Sequence, residues 1–289
     1  MSLSISAACL MCHFNRHMKK AQSLGDSQKA LAFGKELMQM YLDAPEGVSS
    51  PWFSPKVAEL FNKFYGLGDN QYEEEKIQAN RFVMERFDWI QQMVRQAEDP
   101  VLAGLQFAIL GNYLDFAALQ GNVSFEKLEQ MLTEALHMEL DMQVYESMKT
   151  DFAKGKKLLY LTDNAGEIGM DRIFAEEIHR AYPNLEITFC VRGGITVNDA
   201  TREDAEIVGI PFPVIDNGNL VSGTELSMLS REAREAMDNA DVILSKGMAN
   251  TETLYRSGYP IYYAFLVKCV RFVEEFGKPL MTPMLVKEP

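Results

Sequence analysis

The sequence predicts an α/β protein: a helical N-terminal part joined to a Rossmann-like α/β/α core with a mostly parallel sheet. Two observations predict it. The first 150 residues carry helical periodicity and almost no alternating strand pattern. Beyond Lys154, short apolar runs recur with helical segments between them, which is the pattern of βαβ units. The expected division is a helical domain over 1–150 and a Rossmann-like α/β domain over 151–289.

In the N-terminal part, Leu31, Leu37, Met38, Tyr41 and Leu42 approximate one helical face over 27–43. The Ser- and Pro-rich stretch 47–55 ends that helix. A new helix is expected near Ser54, with Ser54 as cap and Pro55 in the first position. Amphipathic segments follow at 56–65, 72–96, 99–120 and 124–149. In the second part, strands are expected at 158–161, 187–191, 213–215 and 242–244, then at 261–267 and near 280–286. Helices are expected at 168–182, 200–208 and 224–238.

Composition narrows the function. A chain of 289 residues with 47% hydrophobic content can bury one large core or two modest ones. A formal charge of −13 argues against a nucleic-acid partner, because phosphate backbones select basic surfaces. It leaves room for a small phosphorylated substrate in a locally cationic pocket. No apolar run reaches the roughly 18 residues of a membrane span, and residues 1–12 lack the basic start and cleavage pattern of a signal peptide. Four cysteines (Cys9, Cys12, Cys190 and Cys269) are too few for a disulfide scaffold. The cytoplasm is the expected compartment, with no membrane partner. The oligomeric state is not legible.

In open α/β sheets, ligands bind beyond the carboxyl ends of the strands. Four such ends carry polar residues. After the first strand comes Asp163-Asn164-Ala165-Gly166-Glu167. Asp163 and Asn164 can offer hard oxygen ligands to Mg²⁺ or Mn²⁺, and Gly166 lets backbone approach an anion at a helix N-terminus. A capped turn explains the same residues. After the second strand, Asn198-Asp199 emerges on the same edge. Asp199 can complete a metal site, or either residue can cap the next helix. Lys246-Gly247 after the strand at 242–244 suits a phosphate, or is a solvated lysine beside a turn. Lys268 ends another apolar run and either snorkels or points into a site.

At these residues the sequence resembles the metal-dependent damage-control phosphatases, the domain of unknown function 89. The resemblance rests on residues 163–167, on Asn198-Asp199-Ala200-Thr201 with Asp204-Ala205, on residues 245–250 and on Lys268-Cys269. It extends to Gly111-Asn112-Tyr113-Leu114-Asp115 and to Cys9-Leu10-Met11-Cys12, and so spans nearly the whole chain. The Cys9–Cys12 pair is similar to the stand-alone prokaryotic branch, not to the branch fused to pantothenate kinase. The resemblance implies phosphoester hydrolysis with a divalent metal such as Mn²⁺, Co²⁺ or Ni²⁺. It implies Asp163, Asn164 and Asp199 as metal ligands, and Lys246, Asn250 and Lys268 around the substrate phosphate. The expected substrates are sugar phosphates, nucleotides or damaged phospho-cofactors.

Under that reading the metal polarises a phosphoryl oxygen and acidifies a water, and Lys246 and Lys268 offset charge as the bond breaks. Glu167 either orients or deprotonates the water, or is a favourable first-turn carboxylate. Covalent catalysis by Asp163 is disfavoured, because Ala165 stands where an Asp-x-Asp nucleophile motif has its second acid. Asn198 and Gly247 are expected to contact substrate. Asn112 and Asp115 lie on one helical face and are expected in the cleft, the alternative being buried bonds to nearby backbone. Cys9, Cys12 and His13 can share a face, with packing expected ahead of metal binding. Two rival functions remain. A methyltransferase using S-adenosylmethionine needs a glycine-rich first loop that is absent, and a non-catalytic phosphometabolite-binding protein needs only the pocket.

Overall fold

A computed structural model describes residues 3–68, 72–119 and 125–288, and the side chains of all of these except 112–119 and 125–129. The helical part comprises α1 (Ala7–Ser23), α2 (Ser27–Leu42), α3 (Ser54–Tyr65), α4 (Glu73–Met84), α5 (Phe87–Gln96), α6 (Pro100–Leu119), α7 (Phe125–Ala135) and α8 (Met142–Lys154). Then β1 (Lys157–Leu161), α9 (Glu167–Ala181), β2 (Glu186–Val191), α10 (Arg202–Ile207) and β3 (Val214–Asp216) alternate. They are followed by α11 (Arg231–Asp238), β4 (Val242–Lys246), α12 (Gly247–Leu254), β5 (Ile261–Leu266), α13 (Val270–Phe276) and β6 (Pro283–Lys287).

Local chemistry sets several boundaries that periodicity left open. The single segment expected over 72–96 breaks where Arg86 folds its guanidinium back onto the Phe82 carbonyl (2.8 Å). The segment expected over 124–149 breaks before Asp141, whose carboxylate caps α8 by accepting from Gln143 and Val144 N–H. Ser54 does not cap α3. It lies inside the helix, donates to the Pro51 carbonyl and accepts from Ser222 N–H, so it holds a loop of the α/β part instead.

The sheet order is β3-β2-β1-β4-β5-β6, parallel throughout except for the antiparallel β5–β6 pair. Strand side chains alternate between faces. On one face, Leu158, Tyr160, Phe189, Leu244 and Tyr262 pack against Leu105 and Ile109 of α6, Met148 and Phe152 of α8, and Phe174 of α9. On the other, Leu159, Ile243, Tyr263 and Phe265 meet Met237 of α11, Leu254 of α12 and Phe272 of α13. The result is a three-layer α/β/α core in which α6 and α8 form part of one outer layer. Helices α1–α3 build a separate apolar cluster around Phe33, Phe53 and Phe61. The chain order reverses between β1 and β4, the switch point at which such sheets bind ligands. No helix among the described residues is long and apolar enough to cross a membrane.

His13, buried in α1, bonds Tyr41 Oη at 2.6 Å, and His17 Nε2 lies 3.3 Å from its other ring nitrogen. Burial, and then nearby Arg16, lower the His13 pKa from 6.5 to about 4. The unfolded chain therefore binds more protons between those values, and folding stability falls as pH drops from 6.5 towards 4. The full effect is about 3 kcal/mol. Urea unfolding at pH 7 and 4.5 should show a larger acid loss in the wild type than in His13→Asn, which removes the titrating group.

Candidate metal and phosphate site at the strand ends

Two loops at the switch edge are zipped together. Ala200 N–H donates to the Asp163 carbonyl and Ala165 N–H to the Asn198 carbonyl, both at 2.8 Å. Asn164 and Asp199 are thereby opposed as an antiparallel bridge. With the bonds on the flanking residues, the pair is of the close, non-hydrogen-bonded kind, and its side chains share one side. Neither loop uses these residues as caps. Gly166 is the N-cap of α9, without a side-chain bond, and Thr201 with Asp204 caps α10. The capped-turn explanation of Asp163, Asn164, Asn198 and Asp199 is thus removed. Helix α4 fastens both loops: Asn80 accepts from Gly166 N–H and donates to Asp204, and Lys76 pairs with Asp204 at 2.8 Å.

Val197, at the tip of the second loop, has φ +49°, a strained conformation for a β-branched residue. It is held there by Thr196, which donates its hydroxyl to the Leu220 carbonyl. Gly247 closes the site from β4. Its φ is +77°, and a Cβ there would lie 1.9 Å from Asp163 Oδ2. Only glycine lets the start of α12 lie against the Asp163 carboxylate.

Charge is concentrated beneath these loops. Asp163, Glu167, Asp171 and Asp199 are buried, and so are Lys246 and Arg192. Lys246 Nζ donates to Glu167 (2.6 Å), Asp171 (2.7 Å) and the Ala108 carbonyl (2.8 Å). Arg192 donates through Nε to Asp199 (2.6 Å) and reaches the Thr162 carbonyl and Asn250. Four buried carboxylates face two buried cations, and Lys268 adds its charge from the cavity wall. Burial, then Glu167 and Asp199, hold the Asp163 carboxyl well above the usual range, against the pull of Arg192 and Lys268. Burial also pushes Asp171 up to about 6. Burial opposes the charge on Lys246, but Asp171 and Glu167 outweigh it and raise its pKa.

A cavity of about 860 Å³ opens over this cluster, a size suited to a small ligand. Asp163, Asn164, Asn198, Asp199, Lys268 and Arg16 line it. Asp163 and Asp199 carboxylates and the Asn164 amide oxygen are hard donors that suit Mg²⁺ or Mn²⁺, with Co²⁺ and Ni²⁺ also accommodated. Asp199 accepts from Arg192 and Ser222, and each carboxylate oxygen keeps a second lone pair. A cavity of about 1000 Å³ between α7, α8 and β6 holds none of the residues expected at the site.

Not every expected residue reaches the cavity. Lys246 shares the strand face of Val242 and Leu244, so its ammonium points between α6 and α9 and is fully buried. Contact with a phosphate in the cavity is out of its reach. Asn250 is also buried, bridging the Thr162 and Lys246 carbonyls. Glu167 lies behind Asn164, which donates to it at 3.1 Å. The side chains of Asn112 and Asp115 lie outside the described residues, while neighbouring Gly111 abuts Glu167. Cys9 and Cys12 do not pack in the core: both border the cavity, Cys12 exposed. His13 is engaged with Tyr41 and His17, and no cluster of three His, Cys, Asp or Glu suited to a metal forms among the described residues.

Known proteins match this chain over nearly its whole length. The model of the damage-control phosphatase ARMT1-like domain matches residues 5–282. The chain belongs to this family. A damage-control phosphatase of Pyrococcus horikoshii is 32% identical over 76% of this chain and 75% of its own length. One from Archaeoglobus fulgidus is 28% identical over 95% of this chain and 96% of its own. An uncharacterised Methanocaldococcus jannaschii protein is 29% identical over 99% of this chain and 96% of its own. The crystal structure of a DUF89 family protein from Pyrococcus horikoshii superimposes with a TM-score of 0.85 at 26% identity, over 99% of both chains.

Within this damage-control phosphatase fold, sequence reasoning missed Arg192, Asp171 and Ser222. Arg192 directly follows β2, so the strand-end rule that found Asp163 would have found it too. Asp171 sits four residues after Glu167 on the buried face of α9, where a second carboxylate among Ile168, Ile173 and Phe174 is the available signal. Arg192→Met should cost about 3–5 kcal/mol, because Asp199 then stays buried without its cation; chemical denaturation measures this. Gly247→Ala should displace the Asp163 carboxylate, visible as a shifted loop in its crystal structure.

Proposed function

We propose that this protein is a divalent-metal-dependent phosphatase acting on small phosphorylated metabolites. The observation that carries the reading is the convergence of the Asp163 and Asp199 carboxylates and the Asn164 amide at one cavity wall that also presents Lys268. A divalent ion matches these hard oxygen donors. Relatives named damage-control phosphatases support hydrolysis of a phosphoester as the reaction, and repair of metabolites as its setting.

When bound, Mn²⁺, Co²⁺, Ni²⁺ or Mg²⁺ supplies Lewis-acid charge at a phosphoryl oxygen and acidifies a water. The chain's own residues do the rest. Lys268, exposed at the cavity wall, binds phosphoryl oxygens and offsets the charge that develops as the ester bond breaks. Asn198 lines the same wall and orients the phosphate. Arg192 holds the Asp199 carboxylate in place through Nε. Ala165 stands, fully buried, where an Asp-x-Asp nucleophile motif has its second acid, so a water is taken as the nucleophile.

Turnover of p-nitrophenyl phosphate, after chelation and addition of each metal, tests the reading. Activity should return with a divalent metal and fall by more than about a hundredfold in Asp163→Asn. Lys268→Met should raise KM by about tenfold or more, the worth of a charge-assisted bond. Phosphate binding without turnover under any metal would leave a binding protein instead.

A further inference from the structure

The hydrogen bonds around Asn164 assign an orientation that the resemblance does not supply. One end of its amide lies 2.9 Å from Asp163 Oδ2 and 3.1 Å from Glu167 Oε2. Two carboxylate oxygens there require the NH₂ end of the amide, because facing oxygens would repel. The carbonyl oxygen then occupies the other end. Glu167 is itself held from below. Its Oε1 takes Lys246 Nζ at 2.6 Å, and Lys246 is anchored by Asp171 Oδ1 at 2.7 Å. Asp171 Oδ1 also accepts from Tyr160 Oη at 2.8 Å. Tyr160, Asp171, Lys246 and Glu167 are at most 1% exposed, so water cannot substitute for any member of the chain.

We infer that Glu167 is a positioning residue: clamped by Lys246 and Asp171, it fixes the amide of Asn164 so that the carbonyl oxygen is the atom offered to a cation. This rests on the proposed metal site. It replaces the general-base role for Glu167, whose carboxylate lies behind the cavity wall with Asn164 in front. It also gives Lys246 a function that burial allows, holding Glu167 instead of touching phosphate. Amide polarity makes the inference sharp. A glutamine at 167 has one acceptor and one donor, and Lys246 requires the acceptor. Its NH₂ then meets the NH₂ of Asn164, whose amide is no longer held on that side, since a flip would set its oxygen against Asp163 Oδ2. Replacing Asn164 with aspartate in the same chain restores an acceptor opposite that NH₂ and returns the net charge to its original value.

The experiment measures Mn²⁺ affinity by titration calorimetry and electron paramagnetic resonance for wild type, Glu167→Gln, and the Asn164→Asp/Glu167→Gln double variant. Thermal unfolding checks that each is folded. A conservative control, Asp171→Asn, removes the same unit of buried charge without changing the group that faces Asn164. Glu167→Gln should weaken Mn²⁺ binding by about 10–100-fold, the usual effect of losing an outer partner of a metal ligand. Asp171→Asn should weaken it less, and the double variant should regain most of the loss. The inference is overturned if Glu167→Gln binds Mn²⁺ like wild type but loses turnover and the acidic limb of its pH–rate profile, which marks a general base. It is also overturned if the double variant regains nothing, or if both single variants lose equally, which marks a plain charge effect. Wild-type protein that binds no Mn²⁺ removes the metal site and this inference together, a result distinct from any difference among variants.

Discussion

Everything at the switch edge depends on one electrostatic constraint: four carboxylates and two cations are buried together where β1, β2 and β4 end. Charged groups in such surroundings are tolerated only when paired, hydrogen-bonded or neutralised. The fold meets the demand in two ways. Below the loops, Lys246 bridges Glu167 and Asp171 and reaches a carbonyl of α6. Beside them, Arg192 pairs with Asp199 and ties the ends of β1 and β4 through Thr162 and Asn250. Asp163 accepts from the Asn164 amide, and burial together with Glu167 and Asp199 holds its carboxyl well above the usual range.

The same constraint explains features that are otherwise unconnected. Glycine at 247 is required because the chain leaving β4 must pass against the Asp163 carboxylate. The close Asn164–Asp199 pair and the strained Val197 follow from zipping two loops edge to edge instead of letting each cap its own helix. Helix α4 contributes Asn80 and Lys76 to hold the loops from the helical side, so the N-terminal part supports the site and does not merely cover it. Sequence distance is bridged here by long-range polar contacts.

Much of this was legible in the sequence. Apolar runs located the strands to within a few residues, since buried parallel strands carry a strong and simple signal. Their ends exposed Asp163, Asn164, Asp199 and Lys268 as candidates. What periodicity does not encode was lost. It reports a strand but not its direction, so the antiparallel β6 was not foreseen. It needs several turns, so the short α12 and α13, which follow closely on their strands, went unread. The strand-end rule finds an edge but not a face. Lys246 therefore read as a phosphate contact, although its parity with Leu244 turns it into the layer below. The partners of Asn164 and Asp199 come from distant segments, and no local pattern announces them.

The central claim is that Asp163, Asn164 and Asp199 together hold a divalent cation. A crystal grown or soaked with Mn²⁺, with data collected at the manganese absorption edge, tests it most directly. The account predicts an anomalous peak bonded to oxygens of Asp163 and Asp199 and to the carbonyl oxygen of Asn164, at the short distances of oxygen ligation. A peak elsewhere, such as beside Cys9 and Cys12, with none between the two loops would contradict it.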